Sequence, residues 1–136
     1  MDMTFRSLLI ISIVLSASAN AEELLVYPAK GHQCAGDIFS VESPIEVLYL
    51  ERACELPIVH AKNMRNYIFQ SGNTRIKGCW GKLLNGNYLL INQDGTQELR
   101  PANAYSQATT ISAKEAKITY SPNQGSAWAK AMEMCP

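Results

Sequence analysis

Two histidines of this chain stand near cysteines, in His32-Gln33-Cys34 and in the stretch from Cys54 to His60. Imidazole and thiolate are zinc ligands, but structural zinc modules pair their cysteines as C-x-x-C, and that spacing is absent. Hydrolysis would need a nucleophile, a base and an orienting group in contact. Serines, His32, His60 and several carboxylates are present, but neither a Gly-x-Ser-x-Gly elbow nor a His-Glu-x-x-His helix is. Glu42, Glu46, Glu51 and Glu55 could pair for glycoside cleavage, which requires no local motif. Their simpler role is the solvated side of a strand and its ends. Phosphate-cradling glycine loops are missing too. The residue types point away from an enzyme, and no cofactor or metal is expected.

The remaining material for recognition is aromatic and basic. Trp80, Trp128, Tyr67 and Tyr88 would suit a glycan or protein partner if exposed. At strand positions and on a small helix they read better as core, with Trp80 against a disulfide at Cys79 and Trp128 docking the last helix on the sheet. Charges are segregated. Asp37, Glu42, Glu46, Glu51 and Glu55 crowd one stretch, and from Leu56 to Gln93 there is no acid while Lys62, Arg65, Arg75, Lys77 and Lys82 are present. Pairing of acidic and basic strands across a sheet is the plain explanation. A surface of Arg75, Lys77 and Lys82 for an anionic glycan or an envelope protein is the functional one. Nothing signals a nucleic-acid fold, so no nucleic-acid partner is expected.

What positions these residues begins with the amino terminus. Arg6 precedes an uncharged apolar run from Ser7 to Ala19, and Ala19-Asn20-Ala21 closes it as a small-x-small cleavage site. Residues 1–21 therefore read as a cleavable signal peptide, and residues 22–136 as one exported domain. All four cysteines, Cys34, Cys54, Cys79 and Cys135, follow that site, so a disulfide framework is expected. No later apolar run reaches the ~20 residues that span a bilayer. The expected location is periplasmic or secreted, with no transmembrane segment after signal removal.

The fold expected is mainly β, or α+β by count: a disulfide-stapled antiparallel meander of about five strands with a C-terminal helix. Ile45 to Glu51 is apolar, β-branched and partly alternating. Asn66–Gln70 and Thr74–Lys82 flank the turn Ser71-Gly72-Asn73, and Asn85-Gly86-Asn87 leads into Tyr88–Ile91. Asp94-Gly95 turns into Thr96–Leu99, which Pro101 ends. Leu24–Tyr27 reads as an edge strand, Pro101–Tyr105 as a turn or one helical turn, and Ile111–Tyr120 as strand or short helix. Ser126 can cap a helix over the next eight residues.

The segment 45–105 also carries a pattern: an apolar strand ending at Cys54, then Gly78-Cys79-Trp80, Tyr88–Ile91, Asp94-Gly95, Pro101 and Tyr105. In this it resembles a type of short exported bacterial protein that has no assigned activity. The resemblance implies a small β module, here residues 45–105, whose two cysteines pair as Cys54–Cys79. Cys34 and Cys135 would then close the flanks. Four cysteines allow three pairings, and Cys34–Cys54 with Cys79–Cys135 stays open. The function expected is a non-enzymatic, exported binding module. The alternatives are an inhibitor of an envelope hydrolase such as lysozyme, with Ser71-Gly72-Asn73 as the presented loop, and a small hydrolase without a recognisable motif.

Overall fold

A computed structural model describes residues 20–28 and 34–135. The expected signal peptide lies outside the described residues except for its last two positions, and so does His32. The chain forms strands β1 (Glu23–Tyr27), β2 (Ile38–Ser40), β3 (Glu46–Ala53), β4 (Arg65–Ser71), β5 (Thr74–Lys82), β6 (Tyr88–Asn92), β7 (Gln97–Arg100), β8 (Ser106–Thr110) and β9 (Glu115–Tyr120), followed by the short helix α1 (Ala127–Ala131). All nine strands join one antiparallel sheet in the order β2-β9-β8-β1-β3-β4-β5-β6-β7.

The expected meander is β3 to β7, and its turns form where the sequence placed them. Gly72, Gly86 and Gly95 all take positive φ, which an L side chain adopts only at a cost. The flanks depart from expectation. The segment at Leu24 is a central strand, clasped between β3 and β8, and not an edge. β2 and β8 carry no clear strand pattern and escape sequence reading. The ambiguous stretch before Tyr120 resolves into a turn and β9, and Ala102–Ala104 makes a single 3-10 turn.

The central strands are apolar at consecutive positions because both faces of the sheet are covered. Side chains alternate between faces along a strand. Leu24, Val26, Val47, Tyr49, Ile68, Ala108, Ala116 and Ile118 pack together on the first face, with Phe39 and Val41 against them. Leu25, Leu48, Tyr67, Trp80, Leu90 and Tyr105 pack on the second. Tyr105 meets both Tyr27 of β1 and Tyr88 of β6, strands that lie four places apart, so the sheet curls over its second face.

Two disulfides staple this sheet, Cys34–Cys135 and Cys54–Cys79. Alternation turns Trp80 to the face opposite Cys79, so its ring packs in the second core and not against the disulfide as expected. Trp128 also departs from expectation. α1 is a single short turn, capped by the Ser126 hydroxyl accepting from the Ala129 N–H at 3.0 Å, and it buries only Ala129. Trp128 is left 56% exposed.

Candidate functional site

β3 and β4 pair in register from Glu46 to Leu48, and pairing resumes only at Ala53 opposite Arg65. The residues between bulge out of the ladder, freeing carbonyls that need donors. The Trp80 indole N–H donates to the Tyr49 carbonyl at 2.9 Å, and the Arg65 guanidinium donates to the Leu50 carbonyl at 3.2 Å. The bulge is thereby held open by side chains of β5 and β4.

Beside it, on the second face, lies a cleft of about 300 Å³. Leu25, Leu50, Trp80 and Tyr88 give it an apolar base, while Glu23, Gln107 and Thr109 rim the β1–β8 side and Lys82 the β5 side. The Trp80 and Tyr88 rings meet edge to face with centroids 5.2 Å apart. Tyr88 leans on Tyr105 at 5.6 Å, and Tyr105 on Tyr27 at 6.3 Å, so a line of aromatics runs away from the cleft over the second face. Burial raises the Tyr88 phenol above its ordinary pKa, so it stays a neutral hydroxyl.

This aromatic line is fixed from beneath. Glu46 is buried at 3% exposure, accepts the Tyr105 O–H on Oε2, and takes a hydrogen bond from Arg100 on Oε1 at 3.0 Å. Arg100 also binds Glu98 at 2.7 Å. Glu46 is therefore not on a solvated strand side, as its spacing with Glu42 and Glu51 implied. Burial first, then the hydrogen bond to Glu46, pushes the Tyr105 phenol far up.

The three basic residues singled out by sequence do not form one surface. Arg75 and Lys77 share the first face near one end of β5, exposed, and neither has an ion-pair partner among the described residues. Lys82 points to the second face at the other end of the strand, ~23 Å from Arg75 and ~17 Å from Lys77 along the chain. The acidic and basic stretches do lie side by side as β3 and β4, but no ion pair among the described residues joins them. The ion pairs among the described residues are Arg52–Glu22, Arg100–Glu46 and Arg100–Glu98. The hairpin tip Ser71-Gly72 does meet an acid: Glu42 and Ser43 share with it a small cleft of about 200 Å³.

Both disulfides take up the four cysteines, so no thiolate is left near His60. His60 stands alone in a left-handed backbone turn at φ 59°. Among the described residues no cluster of His, Cys, Asp or Glu could hold a metal ion, and no helix is long and apolar enough to cross a membrane. Sequence reading named Lys82, Trp80 and Tyr88 separately but missed their cleft. Its walls come from β1, β3, β5, β6, β8 and β9, and no local spacing records that juxtaposition. Compared with known proteins, the chain matches no family model, no curated protein and no solved structure.

Proposed function

We propose that this protein is an exported, non-enzymatic binding module of the periplasmic or secreted space that docks an anionic partner, an envelope protein or an anionic glycan. The observation that carries this reading is the pair Arg75 and Lys77, two exposed cations on one face of the β4–β5 hairpin that no carboxylate neutralises among the described residues. Such a surface attracts and orients anionic ligands. A nine-stranded sheet with two disulfides holds it rigid, so little conformational entropy is lost on docking. Disulfides persist in the oxidising compartments that an exported chain reaches.

The test is capture from an envelope extract and retention on a polyanionic glycan matrix, comparing the oxidised protein with an Arg75→Glu/Lys77→Glu variant. One partner or the matrix held by the parent and lost by the variant supports the reading. Equal retention by both, or none by the parent, overturns it.

A second reading is favoured by the cleft that sets Glu42 beside Ser71 and Gly72. A carboxylate at a hairpin tip suits insertion into a cationic hydrolase such as a lysozyme. Inhibition of lysozyme at micromolar concentration, weakened by Glu42→Gln, would support it, and full lysozyme activity at that concentration would rule it out.

A further inference from the structure

The cleft beside the β3 bulge lies on the opposite face of the sheet from Arg75 and Lys77 and takes no part in the function proposed above. Its chemistry is bipolar. Glu23 stands on the β1 wall and Lys82 on the β5 wall, and neither has an ion-pair partner among the described residues. Between them the base is apolar, formed by Leu25, Leu50, Trp80 and Tyr88. Gln107 and Thr109 add an amide and a hydroxyl on the β8 side. The volume, about 300 Å³, is at the small end for ligand sites and suits a molecule with one ring or one branched chain.

We propose that this cleft binds a small zwitterion with an apolar arm, of the chemical class of a free aromatic or branched α-amino acid. Its ammonium faces Glu23, its carboxylate faces Lys82, and its side chain lies on Leu25, Leu50 and Trp80. Charge complementarity decides the class. A neutral sugar would leave both charges of the cleft unanswered, and a simple anion or cation would answer one and be repelled by the other. The apolar base demands more than a bare zwitterion, since glycine would cover none of it. The pre-formed cleft keeps the ordering cost of binding low, because Trp80 is already fixed by its hydrogen bond to the Tyr49 carbonyl.

The test is titration of the oxidised protein with phenylalanine and leucine, followed by calorimetry and by Trp80 fluorescence in a Trp128→Phe background, which leaves Trp80 the sole tryptophan. Glycine, N-acetyl-phenylalanine, phenylalanine methyl ester and N-acetylglucosamine serve as controls. Loss of one charge-assisted contact should weaken binding at least about tenfold. N-acetylation should therefore cost about tenfold or more against the parent but little against Glu23→Gln, and esterification should behave likewise with Lys82→Met. Leu50→Trp, which fills the cleft, should abolish binding while the denaturation midpoint shows the variant folded.

Absence of binding by phenylalanine and leucine at millimolar concentration overturns the proposal. So does tighter binding of the sugar, or equal binding of the charged and blocked forms, or affinity that survives cleft filling. The anionic-partner reading is scored separately: capture lost in the Arg75→Glu/Lys77→Glu variant but kept in Leu50→Trp sustains that reading whatever the cleft does.

Discussion

Glu46 has its two carboxylate oxygens answered by residues far away in sequence, Arg100 and Tyr105. A buried charge without such partners costs several kcal/mol, so the three side chains stand or fall together. Glu46→Gln should destabilise the protein by about 1–3 kcal/mol, measured as a lowered urea midpoint with unchanged m-value. Tyr105→Phe should cost about 1 kcal/mol or more, because it removes one donor from a buried carboxylate. A pH effect follows from the same burial. The Tyr67 and Tyr105 phenols are both raised well above 10, burial being the largest cause in each. Their protonated forms are thus favoured in the folded state, so the stability they lend is complete below about pH 10, where unfolded tyrosine begins to ionise. It falls as pH climbs above that value, by about 1.4 kcal/mol per pH unit for each phenol that ionises only on unfolding. Denaturant midpoints from pH 9 to 12 should show this slope, and Tyr105→Phe should flatten it. A slope unchanged by that substitution would mean that Tyr105 ionises freely when folded. None of this was readable from the chain. The spacing of Glu42, Glu46 and Glu51 fits a solvated strand, and only tertiary partners tell the buried member from the others.

Strands β3 to β7 were legible because each hairpin is local, with apolar runs cut by turns that contain glycine. Pairings between distant segments leave no such mark. β1 reads as an edge from its flanks, yet it lies between β3 and β8, and β8, Ser-Gln-Ala-Thr-Thr, has too few apolar residues to announce a strand. The cleft shares this fate, since it depends on how far the sheet curls and on where β3 bulges. Gly78 shows how local and distant constraints meet on one element. Opposite it on β4 is Tyr67, whose ring covers the glycine; a Cβ there would come 2.5 Å from Tyr67 Cδ1 and 2.6 Å from the Ile91 carbonyl oxygen. The glycine of Gly78-Cys79-Trp80 is thus required by the Tyr67 ring and the Ile91 carbonyl on its two neighbouring strands and not by its own φ. Gly78→Ala should destabilise by about 1–3 kcal/mol through overpacking. Gly81→Ala, three residues on, meets only the flexible Met64 side chain at 3.8 Å and should cost far less. Equal thermal shifts for the two would show that loss of glycine flexibility, and not the Tyr67 contact, governs this strand.

At the level of the whole molecule the two disulfides divide the labour of holding the sheet. Cys34–Cys135 closes a separation of 101 residues and joins the segment before β2 to the end of the chain. Cys54–Cys79 spans 25 residues and clamps the end of β3 to β5, next to the bulge. Constraint on the unfolded chain grows with loop length, giving about 4.7 kcal/mol for the long loop and ~3.5 kcal/mol for the short one on the chain-entropy account. Replacing Cys34 and Cys135 by alanine should therefore lower the denaturation midpoint somewhat more than replacing Cys54 and Cys79. The two losses should differ more in kind than in size. Without the long staple, the β3 bulge and the Trp80 hydrogen bond keep every contact they have now, because they are made within β3, β4 and β5; Cys34 reaches the cleft only indirectly, through β9, whose Thr119 lines it and whose Ile118 bonds Gly36 and Asp37. Without the short staple, the bulge loses the covalent tie between β3 and β5 that stands beside it, so the setting of Trp80 should change before the protein unfolds. Fluorescence of Trp80 in the Trp128→Phe background, recorded below the unfolding transition, separates the cases. An emission shift confined to the Cys54/Cys79 variant is the expected result. Identical spectra in both variants would mean that β4 and the side-chain donors Trp80 and Arg65 hold the bulge unaided, which would leave the short disulfide a purely global stabiliser.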